Sequence, residues 1–248
     1  MNKTVTHDRT IFRWDDLPGE IKNLIYEHAL CHKPHPVLIG LTSRGLYHKT
    51  TTCRGKSRTL VPNILLVNKQ IYAEGIPILY GDNVLQFKYT YIFSVFCRNL
   101  RAPTLELVES IIISNYNSIS CFYVHEIKSA FRKLATDATN LRSLVLTDHP
   151  DSYIGTTKDS VQQFYDVAKD WVMSLGRNKD ERQMAVARLL EFGPNAAIST
   201  SQRWNNEEFM RLLMKRIAKE DIRGFCTEKT GFFNDWMYRV EGFVNFDF

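Results

Sequence analysis

The chain has 248 residues, 44% hydrophobic and 12% aromatic, with 32 Lys and Arg against 27 Asp and Glu. Length and apolar content predict a folded globule with a sizeable core and exclude an intrinsically disordered chain. Five scattered cysteines without paired spacing indicate reduced thiols in the cytoplasm or nucleus, and no apolar run approaches the roughly 18 residues that span a bilayer, so neither secretion nor membrane insertion is expected.

The first predicted element is a helix in WDDLPGEIKNLIYEHAL, residues 14–30. Leu17, Ile21, Leu24, Ile25 and Ala29 recur at helical spacing and define one apolar stripe. Pro18 suits a first turn, where a missing N–H costs nothing, and Asp15, Asp16 and Glu20 place negative charge at the positive end of the helix dipole. A second helix is expected in PNILLVNKQIYAEGIPILYGDNVLQF, with Ile64, Val67 and Ile71 on one face. Gly75 and Pro77 interrupt it, Gly81, Asp82 and Asn83 turn the chain, and Val84 to Phe87 alternates as a short strand.

Between these helices runs a basic connection. No acidic residue falls between Glu27 and Glu74, while Lys33, Arg44, Lys49, Arg54, Lys56, Arg58 and Lys69 supply seven positive charges. From Gly40 to Thr59 there are five basic residues, three glycines and few apolar side chains, which predicts an unstructured loop open to trypsin. Arg44, Lys49, Arg54, Lys56 and Arg58 are candidate polyanion-binding residues, because sequence-independent nucleic-acid binding needs several phosphate contacts.

Beyond residue 100 the pattern becomes mixed. Val108 to Ser114 and Leu141 to Thr147 align position for position at a spacing of 33 and read as strands. Val124, Ile127, Ala130, Phe131 and Leu134 form a helical stripe between them, giving a βαβ unit with parallel strands. Later helices are expected from Val161 to Leu175, ending at Gly176, from Asp180 to Glu191, and from Asn205 with Phe209, Leu212, Leu213 and Ile217 inward. The last 25 residues hold Phe225, Phe232, Phe233, Trp236, Tyr238, Phe243, Phe246 and Phe248, read either as a lid on the core or as a client-binding surface.

Searches for chemistry return little. His28-x-x-Cys31-His32-x-x-His35 with Cys53 offers enough nitrogen and sulfur for zinc but no paired CxxC knuckles, so no metal site is assigned and no cofactor is expected. No catalytic signature surrounds any cysteine, and His125-Glu126 and Asp148-His149 are adjacent along the chain only. Phosphate loops are absent, so no enzymatic activity is expected and a hydrolase is the least favoured alternative.

Leu17-Pro18-Gly19-Glu20-Ile21 followed by Leu24-Ile25-Tyr26, then Leu65-Leu66-Val67-Asn68-Lys69-Gln70-Ile71-Tyr72-Ala73-Glu74 and Ile78-Leu79-Tyr80-Gly81-Asp82-Asn83, resembles the fungal F-box-like family over about a third of the chain. The resemblance implies that Leu17, Pro18, Glu20, Ile21, Leu24 and Ile25 form a surface for a Skp-type adaptor of a cullin-RING ubiquitin ligase, with the remaining chain holding a protein client. The chain departs from that pattern in the long basic insertion, residues 31–62, where helix bundles use connections of two to eight residues. The combined expectation is an α+β protein: an F-box-like helical module over residues 11–83, then an α+β domain over 84–248 with a small mixed sheet covered by helices. Its function is expected to be that of a non-enzymatic interaction protein. The alternative is a basic nucleic-acid-associated protein acting through residues 40–59.

Overall fold

The computed structural model describes residues 13–31, 33, 35–42, 45–51, 57–114, 124–147, 156–193 and 206–223. Helix and sheet are mixed throughout. In chain order the elements are α1 (Gly19–Leu30), β1 (Val37–Thr42), β2 (Gly45–Thr51), β3 (Ser57–Thr59), α2 (Lys69–Gly81), β4 (Val84–Phe87), α3 (Thr90–Asn99), α4 (Ala102–Leu105), β5 (Ser110–Ile113), α5 (Val124–Asp137), β6 (Ser143–Leu146), α6 (Thr157–Ser174), α7 (Lys179–Leu189), β7 (Leu190–Phe192) and α8 (Asn206–Arg223). Short 3-10 turns at Trp14–Asp16 and Pro62–Leu66 precede α1 and α2.

Among the described residues, seven strands form one sheet in the order β3-β2-β1-β4-β5-β6-β7. The five strands from β1 through β7 that follow β2 in this order run parallel, and β2 and β3 add antiparallel pairs at one edge. Alternation sets the buried face: Leu85, Phe87, Ile111, Ile113, Leu144 and Leu146 are at most 1% exposed, while Gln86, Ile112 and Val145 between them are half-buried. The 33-residue spacing seen in the sequence is the register of β5 on β6, which pairs Ile111 with Leu144 and Ile113 with Leu146.

Helical stripes fill the buried face. Phe93 and Phe96 of α3, Phe131 of α5, Phe164 and Trp171 of α6 and Phe209 of α8 are all buried. Their rings meet largely edge to face: Phe87–Phe93 at 5.6 Å, Phe93–Phe131 at 5.7 Å, Phe131–Phe164 at 6.1 Å, Phe164–Phe209 at 5.9 Å and Phe209–Phe192 at 5.2 Å. One aromatic line thus runs from β4 to β7 through the core.

Four expectations are corrected. Of the segment from Gly40 to Thr59, expected as an unstructured loop, residues 40–42, 45–51 and 57–59 belong to strands β1, β2 and β3, while residues 43–44 and 52–56, with Arg44, Arg54 and Lys56, lie outside the described residues. Val37 and Ile39 are fully buried, and β1 has paired neighbours on both sides, β2 and β4. Burial and ladder hydrogen bonds together offset an ordering entropy that local composition alone does not reveal. Second, α2 runs through Gly75 and Pro77 without interruption. Pro77 forgoes one helical hydrogen bond, and at Gly75 a Cβ would lie 2.5 Å from Leu65 Cδ2 and 2.8 Å from Leu30 Cδ1, so those two methyl groups occupy the space that glycine leaves. Third, Ile64, Val67 and Ile71 do not share a face, because the 3-10 turn ends at Leu66 and Asn68 caps a new helix, leaving Val67 67% exposed. Fourth, the helix expected from Asp180 to Glu191 ends at Leu189, and Leu190–Phe192 becomes β7, where Leu190 is buried and the backbone pairs with β6. The strands on either side of the expected boundary at residue 83 lie in one sheet, β1 beside β4, over one contiguous core.

Asn83 joins the helical pair to this sheet. Buried at 4% exposure, its Nδ2 donates to the carbonyls of Leu30 at 2.8 Å, Leu79 at 2.9 Å and Ile78 at 3.2 Å. These are C-terminal carbonyls of α1 and α2 that lack helical partners of their own or share them. Replacing Asn83 by Ala is expected to lower unfolding free energy by about 2 kcal/mol, since buried acceptors lose their donor. Urea denaturation checks this; a change below about 0.5 kcal/mol would show the amide to be dispensable.

Candidate docking site on the first helix

The sequence around Pro18 starts α1 cleanly. Pro18 occupies the N-cap, one residue before the helix, and its carbonyl accepts from Ile21 N at 3.0 Å and Lys22 N at 3.1 Å. Glu20 follows in the first turn, exposed. The apolar positions of α1 then divide between two faces. Tyr26 and Leu30, four residues apart, are buried toward α2. Leu17 and Ile25 are half-buried, and Ile21 and Leu24 are 42% and 49% exposed.

Several contacts hold the inward face. Tyr26 Oη donates to Glu74 Oε2 at 2.7 Å, Gln70 Nε2 donates to Glu74 Oε1 at 2.9 Å, and the ring of Trp14 lies 5.5 Å from that of Tyr26. Asn68 Oδ1 accepts from Ile71 N at 2.8 Å and so caps α2 where it meets α1. The two hydrogen bonds from Tyr26 and Gln70 hold the Glu74 carboxyl below the usual range. Burial first, and then the bond to Glu74, pushes the Tyr26 phenol up.

On the outward face Ile21, Leu24, Ile25, His28, Ala29 and Val61 line an open apolar groove of about 400 Å³. Val61 reaches it because its N–H donates to Ala29 O at 2.9 Å, which ties the end of the basic insertion to the last turn of α1. Leu66 at 80%, Val67 at 67% and Tyr72 at 48% exposure are further exposed large apolar side chains of the two-helix segment.

The expected adaptor-binding residues therefore lie on one helix and its entry, with Ile21, Leu24 and Ile25 in the groove and Leu17, Pro18 and Glu20 leading into it. Sequence reasoning missed His28 and Val61 as lining residues. The signal for His28 was present, since it follows Ile21 by seven residues and Leu24 by four, on the same stripe. Val61 carried none, because a tertiary hydrogen bond places it.

Other candidates fare differently. Of the polyanion candidates, Lys49 lies in β2 and Arg58 in the neighbouring β3, one register position apart, and Arg44, Arg54 and Lys56 fall outside the described residues. His28 lines the groove while Cys31 is buried, with its thiol pushed up by that burial, which opposes the thiolate a metal requires. His32, Cys53, Asp148, His149 and all the C-terminal aromatics from Phe225 onward lie outside the described residues. No group of three or more metal-ligating side chains converges among the described residues, and no helix described is long and apolar enough to cross a membrane.

The Tyr26–Glu74 pair makes a pH prediction. Glu74 has a lowered folded-state pKa, so its contribution is present above the unfolded carboxyl pKa and is lost as pH falls through the folded one. Tyr26→Phe is expected to cost about 1 kcal/mol at pH 7, the difference narrowing as Glu74 protonates in acid. Chemical denaturation of both proteins across that range checks it, and a pH-independent difference would remove the electrostatic part of the argument. Compared with known proteins, the chain matches no family model, no curated relative and no solved structure.

Proposed function

We propose that this chain is a non-enzymatic interaction protein, a substrate receptor resembling the F-box subunits of a cullin-RING ubiquitin ligase. Its first two helices form the F-box-like module, the groove on α1 seats a Skp-type adaptor, and the sheet and its helices are left for a protein client. The observation that carries this reading is the contiguous apolar surface of Ile21, Leu24, Ile25 and Val61 left open on a helix whose other face is already buried. Three of its residues, Ile21, Leu24 and Ile25, are among the six that the family resemblance singles out for docking.

The test is co-purification with a fungal Skp-type adaptor. Ile21→Asp combined with Leu24→Asp puts two charges into the apolar contact, and binding is expected to weaken by at least about 100-fold. Because both side chains are exposed, the urea midpoint should correspond to a stability within about 0.5 kcal/mol of the parent for each substitution. The reading fails if the unmutated protein binds no adaptor, or if the double variant unfolds and so shows the stripe to be core.

A further inference from the structure

We infer that the outer edge of β7 is a docking edge for this chain's own residues 238–248, which add to the sheet as a further parallel strand with α8 as the crossover helix. This is independent of the docking reading above. The order of the described elements carries it. β4, β5, β6 and β7 are successive parallel neighbours, and α3, α5 and α6 follow the first three of them in turn. Ring contacts from Phe93 to Phe131, Phe131 to Phe164 and Phe164 to Phe209 place α8 next in that helical layer, with Phe209 5.2 Å from Phe192 of β7. α8 also runs in the same direction as α6, since Phe209 meets Phe164 and, further along both helices, Glu220 pairs with Lys169 at 3.1 Å. It therefore returns the chain to the end of the sheet where the parallel strands begin. A strand that follows by a right-handed crossover falls on the far side of β7.

The buried row of the sheet runs out at β7. Register aligns Ile39, Phe87, Ile113, Leu146 and Phe192 across five strands; the first four are at most 1% exposed, whereas Phe192 is half-buried. On α8 above it Phe209, Leu213 and Ile217 are buried, while Met210, Leu212 and Met214 are half-buried. β7 is the last strand of the described sheet, and an edge strand offers its outer N–H and C=O groups to another strand. Residues 224–248 follow α8 and lie outside the described residues. In their sequence Tyr238, Val240, Val244, Phe246 and Phe248 take the even positions, and Arg239, Glu241, Asn245 and Asp247 the odd ones, with Gly242 and Phe243 outside the pattern. Such alternation suits a strand with one face on a core. Its apolar side extends the row that ends at Phe192, and its polar side continues the face on which Glu191 is exposed.

Hydrogen–deuterium exchange on the full chain tests this. Peptides covering Leu190–Phe192 and residues 238–248 are both expected to be protected, equally at every protein concentration. Val244→Asp combined with Phe246→Asp puts charge on the apolar side and should speed exchange in both peptides by at least about tenfold, while Asn245→Ser on the other side changes neither. Exchange in α5 reports whether the core stays folded; if α5 opens as well, Val244→Ala replaces the double variant and should speed the same two peptides. Unprotected exchange of residues 238–248 in the parent would overturn the assignment. So would a variant that frees residues 238–248 but leaves Leu190–Phe192 as slow as before, because the segment then docks elsewhere. Protection that appears only as the chain dimerises would give the edge to a second copy and overturn it too.

Discussion

The relation of the helical pair to the sheet depends on one buried amide. Asn83 donates to carbonyls at the ends of both α1 and α2, so the two helices finish at a common point. From that point the chain enters the sheet twice: Val37 begins β1 after α1, and Val84 begins β4 directly after Asn83. β1 and β4 are parallel neighbours, pairing Val37 with Leu85 and Ile39 with Phe87. A common origin for two parallel strands is what such pairing demands, because both must start from the same end of the sheet. Asn83 ties the helix ends at that origin, and at Gly75 the missing Cβ leaves room for the side chains of Leu30 and Leu65.

The same junction explains why α1 keeps an apolar surface that the fold does not use. Tyr26 and Leu30 meet α2 and the Pro62–Leu66 turn, and this close approach saturates one face of the helix. Ile21 and Leu24 lie on the other face, where nothing described covers them. Each is about half exposed, so burying it would contribute roughly 1 kcal/mol, too little for stable association from these two residues alone. A stable complex must also cover Ile25, Ala29 and Val61, and the exposed Leu66, Val67 and Tyr72 supply further apolar area on the same module.

What could be read from the sequence was what is encoded locally. The start of α1, the stripe of α5 and the 33-residue register between β5 and β6 are properties of spacing, and each corresponds to an element or pairing in the structure. The strands β1 to β3 and β7 were not legible, because three to seven residues give too few positions to separate alternation from chance. Their stability is tertiary: β1 forms because β4 offers an edge, and β7 because β6 does. The continuous α2 follows the same rule, since Pro77 and Gly75 oppose a helix locally while Ile71, Leu79 and Tyr80 are buried only if it continues. At the groove, the apolar stripe could be read but its exposure could not, because which face of α1 is covered depends on α2.

The basic insertion then takes on a different meaning from the one its composition suggests. An F-box-like surface tolerates so long a connection only where the extra chain leaves the docking face clear. Cys31 follows α1 directly, and Val61 returns to bond Ala29, two residues before Cys31, so the excursion departs from and comes back to the C-terminal end of the same helix. Between those points β1 joins the sheet beside β4, and β2 and β3 extend the edge beyond it. Leu24 and Ile21 lie about 1.7 and 2.5 turns toward the other end of α1, and among the described residues of the insertion only Val61 enters the groove lining. Among the described residues the insertion therefore extends the sheet and places Val61 at one end of the groove, with Ile21 and Leu24 toward the N-terminal end of α1 still 42% and 49% exposed.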